Sequence, residues 1–262
     1  MAFVQLDDGE MHYQIEGPQG APVLVLSNSL GTDLHMWDAQ IAAFSKSFRV
    51  VRYDTRGHGK SLVSQGPYTI EQLGQDVLAL LDALNIEQAH FCGLSMGGLI
   101  GQWLGTHAND RLHKLIVSNT AAKIGTPEIW NQRIGLLERE GEQGMASLAQ
   151  TAPQRWFTPE FATNHTDTVK AVTDVLAATS PQGYAACCAA VRDADFLKHV
   201  GSITGDTLII CGSHDSVTTL ADGHYLQNHI HGSQLSDYYA AHLSNVELGE
   251  VFSLRVMEFL LS

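Results

Sequence analysis

Cys92-Gly93-Leu94-Ser95-Met96-Gly97-Gly98 decides how this sequence is read. The run Ala89-His90-Phe91-Cys92 enters it in the manner of a buried strand, and Leu99-Ile100-Gly101-Gln102-Trp103-Leu104 leaves it as a helix. Between them stands G-x-S-x-G, the pattern of a turn so tight that its serine is forced into a strained backbone conformation with Oγ exposed. Glycines two before and two after the serine leave room where a Cβ would collide. The plainer alternative is a glycine-rich turn whose serine only caps the helix, and the flanking strand and helix weigh against it.

Working outward, short apolar runs alternate with helical patterns. Phe3 to Leu6 and Met11 to Ile15 flank Asp7-Asp8-Gly9, a hairpin signal. Pro22 to Leu26, Phe48 to Tyr53 and Lys114 to Ser118 read as strands, the first a continuous apolar run buried on both faces. Ile70 to Leu84 carries Leu73, Val77, Leu80, Leu81 and Leu84 at helical spacing. Strand and helix in alternation imply a mostly parallel sheet. From Lys123 to Lys198 only helix-like segments with Pro and Gly breaks follow, before Thr207 to Cys211 and Gln234 to Ala240 resume the strand pattern and Val246 to Leu261 closes as one amphipathic helix. The expected division is a core of residues 1–122 and 199–262 interrupted by an all-helical cap, 123–198.

Composition narrows the function. The 262 residues are 44% hydrophobic, enough for one domain that buries its own core. With 15 Lys+Arg against 28 Asp+Glu and a formal charge of −13, the chain has no excess of cations to replace phosphate counterions, which argues against nucleic acid or an anionic membrane as partner. The cysteines Cys92, Cys187, Cys188 and Cys211 lack C-x-x-C spacing and read as reduced thiols. Acid interrupts the N-terminus before a leader's apolar region forms, so a cytoplasmic protein is expected, with its oligomeric state open, a homo-oligomer included.

A serine nucleophile needs a base, and the base an orienting carboxylate. Asp215 follows the strand Thr207 to Cys211, and His242 follows Asp237-Tyr238-Tyr239-Ala240-Ala241; both fall where strands reach their C-terminal ends, the edge at which open α/β sheets hold ligands. Asp206 lies at the opposite edge, and no histidine spacing between His214 and His242 matches a metal motif, so no metal is expected. The oxyanion of acyl transfer needs two N–H donors: Met96, at the start of a helix, and Leu30, in the loop Ser27-Asn28-Ser29-Leu30-Gly31-Thr32.

These residues resemble the α/β-hydrolase superfamily over nearly the whole chain. The resemblance implies an eight-stranded, mostly parallel sheet with helices on both faces and a helical cap. Tyr53-Asp54-Thr55-Arg56-Gly57-His58-Gly59-Lys60-Ser61 resembles a structural loop of that superfamily. More narrowly, Asn28-Ser29-Leu30-Gly31-Thr32 with Met36-Trp37, Gly93 to Gly98, and Ala240-Ala241-His242-Leu243-Ser244-Asn245-Val246-Glu247 are similar to the 3-oxoadipate enol-lactonases of aromatic-compound degradation. Asn28-Ser29 stands where many members of the superfamily carry His-Gly, and Thr218-Thr219 where relatives often have a proline. The resemblance implies cofactor-free opening of a small anionic lactone by Ser95, His242 and Asp215. A carboxylesterase or carbon–carbon bond hydrolase of the same fold, and a ligand-sensing receptor with a retained triad, are the competing readings.

An anionic substrate cannot be concentrated by an acidic protein, so a local cation must hold it. The cap offers Lys123, Arg133, Arg139 and Arg155. Arg133 is preferred, one helical turn from Trp130 and so on the same face. Trp156 and Ser29 complete the substrate-binding candidates.

Overall fold

The computed structural model describes residues 2–262. Its strands are β1 (Ala2–Leu6), β2 (Gly9–Glu16), β3 (Val23–Ser27), β4 (Arg49–Tyr53), β5 (Ala89–Leu94), β6 (Leu112–Ser118), β7 (Thr207–Gly212) and β8 (Gln234–Tyr238). They form one sheet in the order β1-β2-β4-β3-β5-β6-β7-β8. Asp7 and Asp8 make the turn that pairs Leu6 with Gly9, so β1 and β2 are antiparallel; β2 also meets β4 antiparallel, and every later pairing is parallel. All residues of β5 and β7 are buried, as strands covered on both faces must be.

The helices of the sheet region are α1 (Asp38–Phe44), α2 (Ile70–Ala83) and α3 (Met96–His107). Thr69 starts α2 by accepting the Gln72 N–H at 3.0 Å, and the spaced residues Ile70, Leu73, Val77, Leu80 and Leu81 are buried. Between β6 and β7 run α4 (Pro127–Glu140), α5 (Glu142–Thr151), α6 (Pro153–Trp156), α7 (Pro159–Asn164), α8 (Thr166–Ala178) and α9 (Pro181–Asp193), with no strand among the described residues of this stretch. Here α4 packs on α9 and α5 on α8. The chain ends with α10 (Leu220–His229), α11 (Ser244–Leu248) and α12 (Glu250–Leu261).

Two expectations change. The single closing helix from Val246 is two, because Gly249 takes φ +52 and breaks the run between α11 and α12. The last strand stops at Tyr238 rather than Ala240, because the Ala240 carbonyl turns to accept the His214 N–H at 3.0 Å. All four cysteines are free and buried, and burial pushes their thiols up. No described helix is long and apolar enough to cross a membrane.

Candidate active site

Parallel pairing brings the C-terminal ends of β3, β5, β7 and β8 to one edge. Ser95 links β5 to α3 with φ 58 and ψ −111, a conformation that costs a non-glycine residue of order 1–3 kcal/mol. Neighbouring strands hold it there. Its N–H donates to the Ser118 carbonyl at 2.9 Å, its carbonyl accepts from Thr120 Oγ1 at 2.9 Å, and the Gly97 N–H donates to the Asn28 carbonyl at 3.0 Å. A Cβ on Gly93 would stand 2.1 Å from the Gly97 oxygen, and one on Gly97 2.3 Å from the Ser27 oxygen. Backbone packed this closely explains both glycines of the motif.

The loop after β3 turns at Ser29–Thr32, where the Thr32 N–H returns to the Ser29 carbonyl at 3.2 Å and Gly31 takes φ +83. Such a turn needs glycine at its third position. The Gly31 N–H donates to His58 Nε2 at 2.9 Å. Burial pushes His58 down to about 4, so the ring is neutral at pH 7 and Nε2 is free to accept. Asn28 ties the loop's base to the core, donating to the Tyr53 carbonyl at 2.7 Å and accepting from Trp37 Nε1 at 3.0 Å. Among the described residues neither the Leu30 nor the Met96 N–H donates to a protein acceptor, and Met96 opens α3, where the helix dipole favours negative charge.

Asp215 and His242 meet behind the serine. His242 Nδ1 donates to Asp215 Oδ2 at 2.8 Å, which leaves Nε2 for the cavity. Asp215 also accepts from Thr218 Oγ1 at 2.8 Å, Asn119 Nδ2 at 3.0 Å, and the N–H groups of Val217 and Thr218 at 2.8 and 3.1 Å. Burial alone would raise its pKa; the neighbouring His242 and these donors together hold it below the usual carboxylate value, so it is ionised at neutral pH. The histidine's flanks are fixed as well. The Ala241 N–H donates to Glu247 Oε2 at 2.9 Å and the Leu243 N–H to the Trp156 carbonyl at 3.0 Å, while Glu247 accepts from the Thr158 hydroxyl. The Ser95 hydroxyl makes no hydrogen bond among the described residues and faces the same cavity as His242.

Ser95, Leu30, Ser29, His242, Trp130, Arg133 and Trp156 line one cavity of about 220 Å³; Asp215 and Met96 lie outside its lining. Arg133 sits 4.9 Å over the Trp130 ring and donates to the Tyr184 hydroxyl at 3.2 Å. Trp156 both lines the cavity and, through its carbonyl, holds the histidine loop. Arg155 and Tyr184 line the cavity too. Lys123 instead pairs with Asp195 at 2.8 Å, and Arg139 is exposed away from the cavity. His58, Asn119, Tyr184 and Glu247 are structural partners whose roles the sequence does not assign; His58 and Glu247 alone carry a signal, inside the Tyr53–Ser61 and Ala240–Glu247 stretches. Among the described residues no group of three or more His, Cys, Asp and Glu is arranged to hold a metal. The arrangement suits acyl transfer: a strained hydroxyl, an imidazole oriented by a carboxylate, and two free N–H donors beside them.

A family model described as alpha/beta hydrolase fold matches residues 22–245, and the chain belongs to that family. Within it, the chain is similar to two 3-oxoadipate enol-lactonases of Acinetobacter baylyi. One, 3-oxoadipate enol-lactonase 2, is 48% identical over 246 residues, 94% of this chain and 91% of the relative; the other, 3-oxoadipate enol-lactonase 1, is 47% identical over 239 residues, 91% and 88%. The crystal structure of the enol-lactonase from Burkholderia xenovorans LB400 superposes with a TM-score of 0.97 at 44% identity and covers 100% of both chains. A thermophilic esterase from Thermogutta terrifontis gives 0.92 at 26% identity, covering 99% of this chain and 98% of the other.

Proposed function

We propose that this protein is a serine hydrolase that opens the lactone ring of 3-oxoadipate enol-lactone to give 3-oxoadipate. The supporting observation is one cavity in which Ser95 and His242 meet guanidinium groups that have no carboxylate partner among the described residues, beside the similarity to enol-lactonases over more than nine-tenths of the chain. His242 Nε2 takes the Ser95 proton as Oγ attacks the lactone carbonyl, and the Leu30 and Met96 N–H groups receive the oxyanion. Collapse breaks the acyl carbon–oxygen bond and expels the ring oxygen as an enolate, which takes up a proton at carbon and becomes the ketone. Water, giving its proton to His242, then attacks the ester on Ser95; the acid leaves and Oγ regains its proton. Asp215 keeps the His242 proton on Nδ1 and stabilises the imidazolium. No step calls for a cofactor.

Arg133, stacked on Trp130, is the anchor for the substrate carboxylate, with Trp156 and Ser29 completing the wall. Residues 123–198 act as the cap over a core of 1–122 and 199–262. The acidic composition and the anionic substrate suit a cytoplasmic enzyme without nucleic-acid or membrane partners. The test is loss of the enol-lactone chromophore. The wild type turns the lactone over, and Ser95→Ala lowers the rate by roughly 10⁴-fold or more. No turnover by the wild type overturns the substrate, and full activity in Ser95→Ala overturns the serine mechanism.

A further inference from the structure

The cavity over Ser95 holds more positive charge than a single carboxylate requires. Arg133 and Arg155 both line it, and no Asp or Glu does. Five of the other seven arginines are paired: Arg52 with Glu16 and Asp38, Arg56 with Asp8 and Asp76, Arg111 with Asp82, Arg192 with Asp193 and Arg255 with Glu258; Arg49 and Arg139, the two without an ion pair among the described residues, lie outside this cavity. Arg133 has only the Trp130 face and the Tyr184 oxygen, and Arg155 only Thr151, at 3.3 Å to its carbonyl and 3.1 Å to its hydroxyl. Arg155 feels the charge on Arg133. Burial first, and then the charge on Arg133, pull Arg155 below the ordinary arginine value, and the Tyr184 phenol feels both guanidiniums. Because the Tyr184 oxygen accepts from Arg133, its own proton remains to be donated into the cavity.

Two like charges, half withdrawn from water in one small space, are costly unless anions compensate them. A protein with 28 acidic residues that leaves both uncompensated at this spot has reserved them for a ligand. We propose that Arg155 forms with Arg133 a two-anion site, and that the cavity binds free six-carbon dicarboxylates more tightly than monoanions of the same length. This rests on Arg133 as the substrate anchor. The lactone brings one carboxylate. Addition of water across its acyl carbon–oxygen bond yields a second and releases a proton, so the ring-opened acid matches both cations where the lactone matches one. Bound product then competes with substrate, and sustained turnover depends on a following reaction that consumes the dicarboxylate.

Calorimetric titration of Ser95→Ala protein with adipate, monomethyl adipate and hexanoate at low ionic strength tests this without turnover. Adipate is expected to bind at least tenfold more tightly than monomethyl adipate. In the same background Arg155→Met is expected to bring adipate down to the monomethyl ester and to leave the ester within twofold, while Arg155→Lys keeps part of the preference. Competitive inhibition of the unaltered enzyme by adipate gives a measure independent of any variant. Equal affinity for adipate and its monomethyl ester, or an equal loss for both in Arg155→Met, overturns the proposal. Lactone turnover by the wild type separates the two readings: turnover without a dicarboxylate preference sinks the two-anion site alone, whereas the preference without turnover supports the site and sinks the lactone as substrate.

Discussion

The sheet side of the cavity and the side formed by the helices between β6 and β7, the proposed cap, are built differently. On the sheet side, Ser95 and Met96 are set by main-chain hydrogen bonds and by glycines so crowded that a single added carbon would overlap backbone, and Leu30 by a tight turn whose Gly31 N–H is held by the His58 ring. On the cap side, Arg133 and Arg155 reach the cavity as long side chains, steadied by a ring, a phenol and a threonine. Bond-making needs reacting atoms placed within fractions of an ångström, whereas an ionic anchor works over a longer range and tolerates small movements. The difference shows where the chain spends backbone strain and where it relies on charge.

The sharpest way to break the contrast is one substitution made on each side. In Gly97→Ala the new Cβ would lie 2.3 Å from the Ser27 oxygen and 2.7 Å from its carbonyl carbon, neither of which can swing aside. Activity should fall by at least about 100-fold, with stability lowered by about 4 kcal/mol or more. Gly135→Ala, inside α4, meets only the movable end of Arg139 at 3.2 Å. It should be neutral or stabilising by about 0.5–1 kcal/mol, since alanine is the better helix former. Urea melts and lactone assays on both proteins decide it; a well-folded, active Gly97→Ala would remove the steric account of the motif.

The same contrast explains what could be read in advance. Ser95 and its glycines form a local pattern, because a tight turn imposes its demands within a few residues. The parallel sheet was legible from alternating apolar runs for the same reason. The Tyr53–Ser61 loop was legible as structural, but not the tie of its His58 to Gly31, which spans 27 residues and depends on a ring kept neutral by burial. Asn119, reaching Asp215 across 96 residues, left no trace either. Arg133 could be singled out because helical spacing puts it on the face of Trp130. Arg155 could not, because α6 is four residues long and has no periodicity to orient it. Gly249 carries no stop signal in the sequence because apolar residues continue on both sides of it, which hides the break at φ +52.

On the cap side the expected effect is smaller and selective for charge. Arg133→Ala removes the guanidinium that the substrate carboxylate would meet, an interaction worth about 1.5–3 kcal/mol. KM for the lactone should rise roughly 10- to 150-fold with kcat much less affected, and hydrolysis of a neutral ester should be nearly unchanged. Equal losses on both substrates would mean that Arg133 supports the fold of the cap rather than the anion.

Glu247 belongs to neither side, because its carboxylate joins them. It accepts the Ala241 N–H next to His242 and both the N–H and hydroxyl of Thr158, where α7 begins in the cap. Glu247→Gln keeps the shape but replaces one acceptor oxygen with an NH₂ group, which must face a donor. The histidine loop then loses one anchor while the Trp156 carbonyl still holds the Leu243 N–H. A drop in kcat of about 3- to 10-fold is expected, equal to about 0.6–1.4 kcal/mol. It should be the same for lactone and neutral ester, because the affected group is the proposed shared base and not the proposed anion anchor. A rise in lactone KM with kcat intact would assign Glu247 to the cap, and with it the coupling between the two sides would run through the arginines instead of through His242.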